Sequence, residues 1–510
     1  MLEQGPQVIF VGAGPGNPGL LTLRGKECLA LADVIIHDRL VTQRILDYAA
    51  PSAERIAAAD LAGCHPEKAT QIHNLILDAA RRGKRVVRLK GGDPLLFARG
   101  GEEVEAVRRA GFSYEIVPGV TAGLAAAAFA GIPLTHRFHA SAVAFVTGHE
   151  DPSKADSSLD WQALARFPGT LVIYMGIARL AQLVDVLLQH GKPPSTPTAA
   201  IRWGSTGEQK TVEASLGGIV DAVHRADLKA PAVVVIGSVV GLRQELAWFE
   251  QRPLFGKHVL VTRPHQQAAE FARRLEFLGA VPHIAPVIDI GEPSDWEPVD
   301  AALGKLASYE WLVFTSANGV HAFLRRLRQR AHDLRGLGSA KLAAIGPNTA
   351  AALAGYYLAA DVVPDSFRSE ALADALRDQV AGKRVLLIRA DRGREVLRDQ
   401  LSQVAQVEQI AVYSQVDVLR RDDAAMALVR EGRVQYVALT SSNIARAFIG
   451  ALDEAGREQI LSGKANLVTI SPVTSEAVRE MGMPVAGEAK RYTSAGVVEV
   501  LLELAANESR

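Results

Sequence analysis

Val11-Gly12-Ala13-Gly14-Pro15-Gly16-Asn17-Pro18-Gly19 places a glycine-rich turn between a short β-branched run and a helical pattern. Gly14 to Gly19 satisfy G-x-G-x-x-G, and Asp38 follows Gly19 by 38 − 19 = 19 residues. In a dinucleotide fold such glycines bring backbone N–H groups against a pyrophosphate, and an acid at about 20 residues binds a ribose. Pro15 and Pro18 count against that chemistry, because each removes an N–H from the turn that would cradle the phosphates. The motif alone leaves a dinucleotide site and a plain glycine turn both open.

A second set of polar groups sits in the C-terminal half. Thr315-Ser316-Ala317-Asn318 returns as Thr440-Ser441-Ser442-Asn443, an offset of 440 − 315 = 125. Ile345-Gly346-Pro347-Asn348-Thr349 returns as Ile470-Ser471-Pro472-Val473-Thr474 at the same offset, and Gly256-Lys257-His258-Val259-Leu260 returns as Gly382-Lys383-Arg384-Val385-Leu386 at 382 − 256 = 126. Two copies are too few for a solenoid, so the pattern predicts two similar α/β halves with a cleft between them, where ligands sit in open α/β sheets.

Strands must hold these turns in place. Val8–Val11, Val86–Leu89, Val143–Thr147, Leu171–Tyr174 and Val233–Ile236 are β-branched runs followed by turns and helical patterns, which predicts α/β layers with largely parallel sheets. A joint is expected at residues 247–257, ahead of a fresh strand at His258–Thr262, so the module boundary falls near residue 250. At 510 residues the chain exceeds one core and roughly three or four domains are expected.

Lys plus Arg equals Asp plus Glu, 56 against 56, so there is no basic excess of the kind that nucleic acid or an anionic membrane favours. Cys28 and Cys64 cannot build a disulfide framework, and no secretory pattern opens the sequence, which points to a cytoplasmic protein. The most apolar run, Ala122–Leu134, is 13 residues, short of the roughly 20 a membrane helix needs. His65, His73, His136, His139 and His149 lack metal-ligand spacing, and no metal is expected.

Gly12–Pro18, His37-Asp38-Arg39-Leu40-Val41, Val87–Pro94, Arg99–Glu103, Val117–Ala122, Ala130–Arg137, Thr147–Glu150 and Tyr174-Met175-Gly176 stand in an order and spacing that resembles the tetrapyrrole C-methyltransferases, uroporphyrinogen III C-methyltransferase above all, over residues 7–245. The resemblance implies two α/β subdomains, about 1–120 and 121–250, with S-adenosyl-L-methionine in the cleft between them, and a homodimer. It implies that Pro15, Gly91, Gly92, Asp93, Leu96, Thr121, Ala122, Met175 and Gly204 line the cofactor site, with Asp38 as proton acceptor. Arg39, with Arg88, Lys90 and Arg99, is then placed to meet the carboxylate arms of the substrate. One departure stands out: the family's Gly-Lys-Arg-Ala-Gly segment reads Ala59-Asp60-Leu61-Ala62-Gly63 here. Asp60 cannot supply the lysine's positive charge, which leaves open a specialised or non-catalytic methylase-like module.

Val259–Pro264, Trp311–Val320, Ala344–Ala350, Val385–Arg389 and Val412-Tyr413 resemble uroporphyrinogen III synthase over residues 255–505. That resemblance implies a bilobal module, 251–510, with one lobe from 255–290 plus 416–510 and the other from 291–415. Its substrate, hydroxymethylbilane, cyclises by loss of water, and folding a flexible chain into one geometry can meet much of the barrier. Ser316, Asn318, Thr349, Thr440, Ser441 and Thr474 would bind the substrate's acid arms at helix starts, or simply cap those helices. Tyr413 is the implied proton donor to the leaving hydroxyl, or a buried structural tyrosine. Together the resemblances imply a bifunctional enzyme acting on small-molecule tetrapyrroles, with an unrelated two-lobed binding protein as the rival reading.

Overall fold

The computed structural model describes residues 5–61, 65–149, 158–330, 333–420 and 423–508. Ala62, Gly63, Cys64 and Glu150 lie outside them. The chain divides into two compact units, Met1–Gly256 with Glu276–Val281, and Lys257–Leu275 with Pro282–Arg510. Four five-stranded sheets are formed among the described residues.

In the first unit, β1 (Val8–Gly12), β2 (Val34–His37), β3 (Glu54–Ala57), β4 (Val86–Lys90) and β5 (Tyr114–Val117) form a parallel sheet of order β3-β2-β4-β1-β5. The central strands β1 and β4 are buried along their whole length. Sheets covered by helices on both faces read in this way, as continuous apolar runs. β4 carries Arg88 and Lys90 into that interior, which only paired charges can tolerate.

The second sheet comprises β6 (Val143–Thr147), β7 (Thr170–Tyr174), β8 (Pro197–Arg202), β9 (Lys210–Ser215) and β10 (Ala232–Ile236), in the order β6-β7-β10-β8-β9. Only β6 and β7 run parallel; β10 is antiparallel to both β7 and β8, and β8 to β9. The expectation of largely parallel sheets fails here. The loop from Arg202 to Lys210 is too short for a crossover helix, so β8 and β9 must return as a hairpin.

The second unit carries β11 (His258–Val261), β12 (Val281–Ile284), β13 (Ile288–Gly291), β14 (Trp311–Phe314), β15 (Lys341–Ala344), β16 (Arg384–Ala390), β17 (Gln406–Asp417), β18 (Tyr436–Leu439), β19 (Asn466–Thr469) and β20 (Gly487–Glu488). They make two sheets, β12-β11-β18-β19-β20 and β13-β17-β16-β14-β15. The internal echo is structural: Trp311 and Tyr436 both open a strand, and Pro347 and Pro472 both open a helix. The pairings β11–β18, β18–β19, β19–β20, β14–β15, β14–β16 and β16–β17 are parallel, whereas β13 runs antiparallel to β17.

Candidate functional site

Three glycine turns meet where β1, β4 and β5 end. Gly14 N–H donates to Gly92 O at 3.1 Å, and Gly92 N–H returns a bond to Gly14 O at 2.8 Å. A Cβ on Gly119 would lie 2.2 Å from Gly92 O and 2.7 Å from Gly12 Cα, so the turns pack backbone to backbone with no room for a side chain. Asp93 holds the junction, accepting from Leu95 N–H at 2.9 Å and Gly119 N–H at 3.1 Å. From the second sheet, the Tyr174 hydroxyl accepts from Gly123 N–H at 2.7 Å and bonds the Thr121 hydroxyl at 2.6 Å. It thereby pins the start of the helix Ala122–Phe129. Burial raises the Tyr174 pKa.

These elements enclose a cavity of about 410 Å³. Pro15, Gly91, Gly92, Asp93, Leu96, Thr121, Ala122, Met175 and Gly204 all line it, as does Asp38. Residues more than 180 positions apart in the chain thus share one wall, and the volume falls in the range of small-molecule sites, roughly 300–1,000 Å³. Sequence reasoning missed Phe97, Trp203, Ile201 and the Ala230–Val233 strand edge. Phe97, Met175 and Trp203 hold φ of 53°, 54° and 48°, left-handed values that side chains rarely adopt and that concentrate where a ligand is gripped.

Behind the cavity lies a charged cluster. Arg88 and Lys90, each 2% exposed, share Glu103: Arg88 Nε donates at 3.1 Å and Lys90 Nζ at 2.8 Å. Arg88 Nη2 also donates to Asp38 Oδ1 at 2.5 Å, while the Asp38 side chain keeps 32% of its surface open. One reading from the sequence is corrected. Asp38 pairs with Arg88, and Arg88 and Lys90 are buried structural charges that cannot reach a substrate's arms. Burial opposes the charge on Arg88, yet Asp38 and then Glu103 raise its pKa above the ordinary value; burial and the Arg88 charge lower that of Lys90. Arg39 and Asp60 are exposed, and Asp60 lies outside the cavity wall.

In the second unit, Ser316 and Ser441 cap their helices, accepting from Gly319 N–H at 3.0 Å and Ile444 N–H at 3.2 Å. Thr349 and Thr474 are buried in the first turns of theirs, and Thr440 is half-buried at the end of β18. The Tyr413 hydroxyl lies 3.0 Å from Ser316 Oγ. A register shift between Arg389 and Ala390 skips Val412, so that Tyr413 pairs with Ala390; bulges re-aim side chains in this way. Burial raises the Tyr413 pKa. Asn318 accepts from Gln267 Nε2 at 3.3 Å, joining turns that follow strands of the two sheets, and Asn443 donates to Gln415 Oε1 at 2.9 Å. Beside Asn318 opens a cavity of about 330 Å³ lined by Trp296, His321, Arg325 and Tyr356. Arg263 and Arg389, equivalent under the 126-residue offset, close the ends of β11 and β16; that repeat was the signal for them in the sequence.

No group of three or more His, Cys, Asp or Glu side chains that could hold a metal ion occurs among the described residues. No helix there is long and apolar enough to cross a membrane.

Residues 7–220 match the family described as Tetrapyrrole (Corrin/Porphyrin) Methylases, and residues 269–499 the family described as Uroporphyrinogen-III synthase HemD. A porphyrin biosynthesis protein HemD of Ruminiclostridium josui is 31% identical over 499 residues, covering 98% of each chain. A uroporphyrinogen-III C-methyltransferase of Bacillus subtilis is 41% identical over 68% of this chain and 70% of its own. The crystal structure of uroporphyrin-III C-methyl transferase from Thermus thermophilus complexed with S-adenyl homocysteine is 39% identical, covers 46% of this chain and 93% of its own, and superposes with a TM-score of 0.39. The chain belongs to the family of porphyrin biosynthesis proteins in which a tetrapyrrole methylase precedes a uroporphyrinogen-III synthase.

Proposed function

We propose that this chain is a bifunctional enzyme of tetrapyrrole biosynthesis. Its C-terminal module cyclises hydroxymethylbilane to uroporphyrinogen III, and its N-terminal module methylates that product twice, to precorrin-2, on the sirohaem and cobalamin branch. The observation that carries the methylase reading is the charge of its cavity. The ionisable groups on the wall are Asp38, Asp93 and Tyr174, without a cation among the described lining residues. With Asp38 already paired to Arg88, Asp93 is the carboxylate left to set the sign of the wall, which favours a sulfonium nucleoside over a pyrophosphate. When bound, S-adenosyl-L-methionine supplies a methyl group on a positively charged sulfur.

The protein's own task is positioning. The Gly91–Asp93 turn, Thr121, Ala122 and Gly204 present backbone to the nucleoside, with Leu96 and Met175 as apolar wall. Asp38, held by Arg88, accepts a pyrrole N–H and takes up the proton released as the ring carbon is methylated. Exposed Arg39 meets an acid arm of the macrocycle. The synthase works as two lobes, 255–290 with 416–510 and 291–415, joined where β13 and β17 pair. Between them Ser316, Asn318, Thr349, Thr440, Ser441 and Thr474 mark the helix starts that fold the linear substrate, and Tyr413 protonates the departing hydroxyl. The enzyme acts in the cytoplasm on small-molecule tetrapyrroles, without nucleic acid, as a homodimer through the methylase module. The unpaired buried thiol of Cys28 supports the compartment, the equal count of 56 basic and 56 acidic residues the exclusion of nucleic acid, and the exposed Leu95, Leu124 and Phe138 the dimer.

Asp60 favours one second reading, a synthase fused to a specialised methylase-like module. Incubation of the full chain with hydroxymethylbilane and methyl-labelled S-adenosyl-L-methionine, followed by mass and absorption analysis, tests both. Doubly labelled precorrin-2 is expected. Unlabelled uroporphyrinogen III alone would establish the second reading, and absence of cyclisation would refute the proposal.

A further inference from the structure

Arg263 and Arg389 occupy equivalent strand ends in the two halves of the second unit but have unequal surroundings. Arg389 Nη1 forms an ion pair with Glu395 Oε1 at 3.2 Å. The position equivalent to Glu395, 126 residues earlier, is Ala269. Arg263 accordingly has no carboxylate within 4.0 Å among the described residues. Its terminal nitrogens donate to two neutral groups, the Ser494 hydroxyl and Gln267 Oε1, the latter at 2.9 Å. Its Nε is buried with no partner at all. Burial lowers the pKa of the guanidinium, with Glu270 only partly opposing it from beyond ion-pair range.

A largely desolvated cation without a counter-ion is unfavourable in the free protein, because the lost hydration is replaced by weaker neutral contacts. The arrangement becomes favourable when an anion docks. Its place in the cleft is given by Gln267, which accepts from Arg263 and donates to Asn318 on the opposite side at 3.3 Å. We propose that Arg263 is a binding residue for one carboxylate arm of the linear tetrapyrrole, with Gln267 and Asn318 linking the filled site to the other lobe. The inference rests on the synthase reading above and assigns the anchor within that site. The guanidinium's fork geometry suits a carboxylate, and the residue on the other lobe, neutralised by Glu395, is not available for the same task.

The test is steady-state cyclisation of hydroxymethylbilane by the full chain and by R263Q and R263K. Wild-type cyclisation establishes the synthase reading independently. For R263Q the KM is expected to rise about tenfold, the loss of one charge-assisted hydrogen bond, and R263K to recover part of it. Because R263Q removes an uncompensated buried charge, it should melt at or above the wild-type temperature. A residue that served only structure would instead lower the melting temperature and leave KM where it was. An unchanged KM in R263Q, or a KM in R263K as high as in R263Q, would overturn the assignment while leaving the wild-type activity intact.

Discussion

Replacing Arg88 with Met tests the charged cluster behind the methylase cavity. Arg88 donates to Glu103 through Nε and Nη2, to Asp38 through Nη2, and to the carbonyls of Ile36 and Leu89 through Nη1. With Lys90 the cluster holds two cations and two carboxylates and is neutral in sum. R88M leaves it with one excess negative charge in the interior, and removal of one partner from a buried pair costs about 3–5 kcal/mol. At about 2–4 °C per kcal/mol for a unit of this size, the first unfolding transition should fall by roughly 6–20 °C. R88M/E103Q restores neutrality, since Asp38 and Lys90 remain, and should recover at least half of that loss. Differential scanning calorimetry of the full chain reads the transition, and a parallel methyl-transfer assay on uroporphyrinogen III should show kcat reduced in both variants, because Asp38 has lost its orienting partner. If the double variant is less stable than R88M, the two losses add, and the argument from charge balance is wrong.

Three further outcomes follow from the same geometry. Burial, then His258 and Arg433, lowers the His283 pKa to about 4 from 6.5. The folded unit therefore binds fewer protons than the unfolded chain between those values, so its stability is complete above pH 6.5 and declines as pH falls towards about 4. Urea titrations from pH 7 to 4 should show that decline in the wild type and a shallower one in H283Q; parallel slopes would exclude His283 as the cause. G119A would force a Cβ to within 2.2 Å of Gly92 O, an overpacking worth about 1–3 kcal/mol. Calorimetric titration with S-adenosylhomocysteine should then show affinity at least about tenfold weaker, and wild-type affinity would mean the three turns do not jointly form the cavity. Y413F should slow cyclisation by about tenfold to a hundredfold with little change in KM; an unaltered rate, followed by chromatography of the product isomers, would leave the tyrosine as packing.

What could be read from the chain alone were the features local in sequence. Glycine turns, strand runs, helix starts and the 125-residue echo depend on near neighbours and on order, whereas Pro15, Gly92, Thr121, Met175 and Gly204 are implied by the family resemblance of the motifs that carry them, and all five line the cavity. Relations across space were decided only by the tertiary structure. Arg88 and Lys90 read as cations for the substrate's acid arms, yet the pairing of β4 between β1 and β2 buries them, and only then does Glu103 become an obligatory partner. Trp203 and Phe97 carry no motif; only the fold brings their left-handed backbone to the wall of one cavity. The contrast between Arg263 and Arg389 has the same origin: sequence supplies their equivalence, whereas whether a carboxylate stands nearby depends on the burial and approach of segments that the fold alone brings together.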